Sequence, residues 1–240
     1  MKVAFCFCGQ PRDVKNTLEN IKEAWGHYQE LDFFFHTWIP EDRTPYRLDT
    51  PSDAYFDGIE SYLIENLNPI KCEFQRQITF KNSYRDSPHW PIRSVFIPDP
   101  SQNIQSFFYS LKKANDLKRQ HEIENNFRYD CVVRSRFDYL FTRRYNLKDY
   151  DLNYLNVKGD CKHTEYAIND HVAFSNSENM DLYSTVIDNI PKYYQEGIEF
   201  NTEVILGYNA SMHGLKYHKT LGDNEESFVS TKFERAQVFL

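Results

Sequence analysis

Apolar residues fall in short continuous runs, separated by stretches in which they recur every three or four positions. Lys2 to Cys8 is nearly all apolar and predicts a first strand covered on both faces. The run stops at Gly9-Gln10-Pro11-Arg12. Pro11 and Asp13 then open a helix carrying Val14, Leu18, Ile21, Trp25 and Tyr28, at spacings of four, three, four and three. Leu31 to Trp38 predicts a second strand, ending in His36, Thr37 and Trp38 before the polar loop Pro40 to Pro51. Phe56, Ile59, Tyr62, Leu63 and Leu67 predict a helix that Asn68-Pro69 closes, and Ile70 to Phe74 predicts a third, shorter strand.

From Gln75 the pattern dissolves into polar and proline-rich sequence, with Pro88, Pro91, Pro98 and Pro100, which predicts a long loop over 75–103. His89, Trp90 and Arg93 within it are possible ligand contacts, although a loop Trp more often anchors the loop. Ile104, Phe107, Phe108, Leu111, Ala114 and Leu117 then mark an amphipathic helix running to Asn125. It delivers the chain to Tyr129–Phe141, YDCVVRSRFDYLF, read as a central strand. Short strands follow at Tyr154 to Val157 and His171 to Phe174, with a loop at Gly159 to Thr164 between them. Ser177 is read as the cap of a helix carrying Leu182, Tyr183, Val186 and Ile187. A last helix starts near Asn201 or Thr202, Leu215 to His218 is a final strand, and 222–240 is a polar tail.

Strands alternating with helices imply an α/β fold: one Rossmann-type domain over 1–240, with a mostly parallel central sheet and helices on both faces. The order is that of a nucleotide-binding half domain. There is no internal repeat and no boundary that would divide the chain in two.

Composition narrows the partners. Of 240 residues, 28 are Lys or Arg and 35 Asp or Glu; the net charge of −7 argues against nonspecific nucleic-acid binding, which needs a basic face. The densest basic run, Lys112 to Arg119, is interrupted by Asp116 and reads as a solvated helix face. Five cysteines are an odd count, and Cys6, Cys8, Cys72 and Cys131 lie in apolar runs, as buried free thiols do in a reducing compartment. No Cys/His spacing resembles a zinc site. No run approaches a membrane span and Val3 to Cys8 is too short for a signal peptide, so a soluble, cytoplasmic protein is expected.

Candidate chemistry concentrates at the strand ends. In a strand, residues two apart share a face, so Arg134, Arg136 and Asp138 would emerge together. An Arg136–Asp138 ion-pair ladder on a solvated sheet face is one explanation; a polar group set at the end of a buried strand, where open α/β sheets place ligands, is the other. Gly9-Gln10-Pro11-Arg12 lies between a strand and a helix, where the backbone can approach an anion; it is neither a P-loop nor a dinucleotide fingerprint. His36 at a strand end is either a phosphate or base donor or a hydrogen-bonded core residue.

Taken in order, the GQPR turn, FFFHTW, FFYSLKKANDLK, YDCVVRSRFDYLF and NDHVAFSNSENMDLY resemble a family of glycosyltransferases from bacterial and large-virus surface-glycan loci, over residues 1 to 213. The resemblance implies a GT-A-type fold that binds a nucleotide sugar, UDP- or GDP-linked, and transfers the sugar to a hydroxyl of a glycan acceptor. It puts Gly9, Gln10 and Arg12 on the nucleotide with His36 nearby, and Arg136-Phe137-Asp138 where such enzymes carry Asp-x-Asp. There two carboxylates hold Mn²⁺ or Mg²⁺ on the diphosphate. Here Arg136 replaces the first carboxylate, which leaves two mechanisms open. Either Asp138 holds a metal with His213 or His218, or Arg134 and Arg136 neutralise the leaving group without one. Asp170, before a short strand, and Glu203, in the first turn of a helix, are the candidate bases for the acceptor hydroxyl. Two other readings stay open: a non-catalytic nucleotide- or sugar-binding protein with a degenerate metal motif, and another phosphate-handling enzyme such as a nucleotidyltransferase or phosphatase.

Overall fold

The computed structural model describes residues 1–39, 57–84, 100–158 and 167–221. The loop Pro40 to Pro51, Phe56, His89, Trp90, Arg93, the loop Gly159 to Thr164 and the tail 222–240 lie outside these residues. One mixed sheet of seven strands organises the rest: β1 (Lys2–Gly9), β2 (Glu30–Ile39), β3 (Lys71–Arg76), β4 (Cys131–Ser135), β5 (Leu155–Lys158), β6 (Val172–Ser175) and β7 (Tyr217–Leu221), in the order β3-β2-β1-β4-β6-β5-β7. The pairs β1–β2, β2–β3, β1–β4 and β5–β7 are parallel, whereas β6 runs antiparallel to both β4 and β5. The expected α/β class with a mostly parallel sheet is what forms.

Among the described residues six α-helices flank the sheet: α1 (Val14–Trp25), α2 (Ile59–Leu67), α3 (Pro100–Asn125), α4 (Ser177–Tyr183), α5 (Val186–Gln195) and α6 (Thr202–Met212). The continuous apolar character of β1 follows from cover on both faces. Val3, Phe5 and Phe7 pack with Leu18, Ile21 and Trp25 of α1 and Leu63 of α2. Ala4, Cys6 and Cys8 pack on the other face with Phe108, Leu111 and Ala114 of α3. The aromatic content is mostly core: Phe7 and Phe137 stack at 4.9 Å, and Trp25 lies flat on Tyr145 at 5.0 Å. Cys6, Cys8 and Cys131 are buried free thiols and Cys72 is half-buried; burial pushes the Cys6 thiol up to about 12, leaving it protonated and inert. Among the described residues, no helix is long and apolar enough to cross a membrane.

Several boundaries differ from the sequence reading. β4 ends at Ser135, so Arg136 and Asp138 follow the strand in a turn; the ion pair expected of them forms there, and not on a solvated sheet face. β3 extends through Arg76 and α3 begins at Pro100, which shortens the loop expected over 75–103 at both ends. The helix after β6 is capped by Asn176, whose side chain accepts from the Asn179 amide, and not by Ser177. It also breaks into α4 and α5, where the hydroxyls of Ser184 and Thr185 donate back to the carbonyls of Met180 and Leu182.

The chain leaves β1 for β2 through α1 on one face, and reaches β4 from β3 through α3 on the other. β1 and β4 are neighbours, so the connections diverge between them at their carboxyl ends. Open α/β sheets form their ligand crevice at that place.

Candidate functional site

A cleft of about 250 Å³ opens at this divergence. Cys8, Gly9, Gln10 and Arg12 come from the end of β1 and the turn after it, Trp38 from β2, Arg136 and Asp138 from the turn after β4, and Asp170 from the segment before β6. Gln77, Asn103, Ile104, Ser106, Phe107 and Thr202 complete the wall.

The turn after β1 is held by its neighbours. Gly9 has a φ of +100°, a conformation that side chains rarely adopt, with nothing within 4 Å of where a Cβ would sit; glycine is required by the backbone and not by crowding. Its amide donates to Ser110 Oγ on α3 at 2.7 Å, and its carbonyl accepts from Thr37 Oγ1 at 2.9 Å. Arg12 is thereby brought beside the turn after β4.

There the Arg136 guanidinium forms a two-point fork on Asp138, Nε to Oδ1 and Nη2 to Oδ2, both 2.8 Å. Arg12 Nε lies 3.5 Å from Asp138 Oδ2. The carboxylate keeps only 2% of its side-chain surface. Burial alone would raise its pKa; the charges of Arg136 and Arg12 and the hydrogen bonds from Arg136 outweigh burial and hold the carboxyl well below the usual range. Arg136 Nη1 faces Asp170 Oδ1 at 3.9 Å, and His171 Nε2 approaches the same oxygen at 3.5 Å. Burial raises the Asp170 carboxyl too, but Arg136, His171 and Arg134 together lower it. His171 is pushed down to about 4, chiefly by burial against the pull of Asp170, and is neutral at pH 7.

Arg134, fully buried, sits behind this wall. Its Nε donates to Cys8 Sγ at 3.2 Å, its Nη1 donates to the Asp170 carbonyl, and its guanidinium lies 4.5 Å over the Phe107 ring. Cys8, Asp170 and Phe107 all line the cleft, and the Arg134 Nη2 has no hydrogen-bond partner. Three guanidinium groups thus gather around two carboxylates.

Of the residues expected at the site, Gly9, Gln10, Arg12, Arg136, Asp138 and Asp170 meet in the cleft, with Arg134 immediately behind. His36 does not line it. The ring is buried, with Nδ1 2.8 Å from Ser110 Oγ and Nε2 3.0 Å from Gln75 Oε1, so it braces the serine that holds Gly9. Glu203 is adjacent to the lining residue Thr202 but is not itself part of the lining; its carbonyl accepts from the Ile168 amide. His213 ends α6 with Nε2 3.2 Å from Thr185 Oγ1. His218 stacks on Tyr154 at 4.2 Å on edge strand β7, three strands beyond β4 and so roughly 14 Å from it across the sheet. It is not brought to Asp138.

Gln77, Asn103, Phe107 and Thr202 also line the cleft, and nothing in their sequence context marks them for it. Gln77 and Asn103 fall in the stretch read as loop, and Phe107 was counted only as core. Trp38 donates from Nε1 to the Ser106 carbonyl at 3.2 Å and stacks on Tyr109 at 5.4 Å. This end of the cleft is aromatic and amide-lined, in contrast to the charged end.

The residues present do not fit a hard divalent cation. Both oxygens of Asp138 are engaged by Arg136, and among the described residues no three His, Cys, Asp or Glu side chains group so as to hold a metal. A divalent ion about 5 Å from a single guanidinium would be repelled by about 7 kcal/mol at an effective dielectric near 20. The arrangement is suited to an anion with several oxygens, which guanidinium groups bind through paired hydrogen bonds.

No protein-family model and no curated protein matches the chain. Among solved structures, the chain is similar to galactosyltransferase LgtC in complex with donor and acceptor sugar analogues, with a TM-score of 0.46 and 14% identity, over 90% of this chain and 73% of that one.

Proposed function

We propose that the protein is a glycosyltransferase of one nucleotide-sugar-binding domain, which takes a UDP- or GDP-linked sugar and passes it to a hydroxyl of a glycan acceptor. The observation that carries this reading is the meeting, at the carboxyl ends of β1 and β4, of the Gly9-Gln10 turn with Arg12, Arg136 and Asp170, next to an aromatic and amide-lined wall. A diphosphate suits the guanidinium end, and a planar base suits the wall of Trp38, Gln77 and Asn103. The sequence resemblance over residues 1 to 213 supplies the sugar.

In the transfer, the acceptor oxygen bonds to the anomeric carbon while the bond from that carbon to the diphosphate oxygen breaks, its electron pair leaving with the phosphate. The hydroxyl proton passes to a carboxylate, for which Asp170 is placed better than Glu203. Asp170 is ionised at neutral pH, and the charge of a bound diphosphate would raise its proton affinity beyond that of the free protein.

The test is a thermal-shift screen of nucleotides and nucleotide sugars, followed by assay of donor hydrolysis. UDP or GDP and one of their sugars should raise the Tm by mass action, and that donor should hydrolyse slowly. Binding without turnover would favour a non-catalytic binder. No response to any nucleotide would overturn the proposal.

A further inference from the structure

We propose that Arg12 and Arg136, backed by Arg134, take the place of a divalent cation on the diphosphate, and that Asp138 is a positioning residue for Arg136 and not a metal ligand. The inference rests on the donor reading above and specifies how that site handles charge.

Three observations carry it. The two-point fork from Arg136 occupies both oxygens of Asp138, and Arg12 closes on the same carboxylate, so a cation reaching Asp138 would have to displace one guanidinium and remain beside the other. The fork fixes the plane of Arg136 through Nε and Nη2 and turns its third nitrogen, Nη1, toward Asp170 on the cleft wall. An arginine held on one edge by a close fork, with its other edge turned to the cleft and only loosely paired at 3.9 Å, is built to receive an anion in a fixed orientation. The third observation is Arg134: a buried charge that donates to a thiol and a backbone carbonyl and rests on an aromatic ring, with Nη2 unsatisfied. Among the described residues Asp170, in the cleft wall, is the carboxylate that acts on it. Among the described residues three guanidiniums stand around two carboxylates at this site, in a chain of net charge −7. The diphosphate would complete that balance, and in the transfer its departing oxygen would carry its electron pair into a field already positive.

Isothermal titration of the full chain with UDP and with GDP, once in EDTA and once in Mn²⁺ or Mg²⁺, tests this directly. The expected result is that the nucleotide that binds does so with similar affinity in both. Arg12→Ala, which leaves the Arg136–Asp138 fork intact, and Arg136→Lys, which keeps the charge and loses the fork, should each weaken binding by roughly 10-fold or more in EDTA, the loss of one or two charge-assisted bonds. Circular dichroism confirms that each variant is folded, and the wild-type comparison needs no variant. Binding that requires the metal would overturn the inference and leave the donor reading standing. Metal-free binding that neither variant weakens would overturn the assignment to these arginines. Failure of both nucleotides to bind in either condition would overturn the donor reading, and the inference with it.

Discussion

Burial pulls Asp138 and His171 in opposite directions; the arginines reverse it for Asp138 and add to it for His171. Desolvation disfavours each charged form, raising the carboxyl and lowering the imidazole; Arg136 lowers both. Each group therefore has a folded pKa below its unfolded one, and the folded state binds fewer protons than the unfolded state in the window between the two. Stability is lost as pH falls through that window. For His171 the window runs from its ordinary value of 6.5 down to about 4, and His36, lowered by burial, adds to it. For Asp138 the loss begins near 3.8 and continues below. The unfolding free energy from urea titrations should decline across both ranges. His171→Asn should flatten part of the first range. Asp138→Asn should flatten the second and cost about 3 kcal/mol at neutral pH, because it takes from Arg136 the carboxylate that its two-point fork holds. A profile unchanged by either substitution would refute these assignments.

At the scale of elements, the strand–turn–helix unit at β1 and α1 owes its shape to a helix far along the chain. Ser110 of α3 lies 101 residues from Gly9, yet its hydroxyl accepts from the Gly9 amide, donates to the His36 carbonyl at 3.0 Å and meets the His36 ring. Ser110→Ala should destabilise the protein by about 1–3 kcal/mol, the cost of the lost bonds to the half-buried Gly9 amide and the buried His36, and weaken nucleotide binding although Ser110 is not in the cleft wall. Gly9→Ala should cost about 1–2 kcal/mol through its left-handed backbone alone. Both act on one turn, so the double variant should lose less than the sum of the two; urea denaturation of the full cycle measures the difference. Simple additivity would mean that Ser110 does not hold the turn.

For the whole molecule, α3 is the connection that unites the two halves of the sheet. Its 26 residues cover β1 and β2 with an apolar stripe, and its polar seam binds α4: buried Lys118 donates to Glu122 at 3.0 Å, to Asp181 at 2.7 Å and to Ser177 at 2.7 Å. Arg128 reaches the same two carboxylates. Lys118→Ala would leave Glu122 buried without its cation on α3, and should cost about 3–5 kcal/mol by chemical denaturation; a loss under 1 kcal/mol would show that Arg128, the Tyr129 amide and the Ser177 hydroxyl satisfy the carboxylate without it. What the sequence determined by itself was the succession of elements and the strand ends at which chemistry gathers. Those depend on local periodicity, on where glycine and proline interrupt it, and on which strands are apolar throughout because both faces are covered. Only the tertiary structure decided which charges meet. Periodicity put Arg136 and Asp138 near one another without showing the fork, the approach of Arg12 or the arrival of Asp170, whose carbonyl takes the Arg134 donor from 36 residues away. It likewise left His36 between cleft and core, and the pairing of His218 with Asp138 that the resemblance suggested is ruled out by the sheet order, which separates them. Face and spacing are properties of one segment, whereas a partner is a property of the sheet order β3-β2-β1-β4-β6-β5-β7, which long-range packing sets and no window of sequence contains.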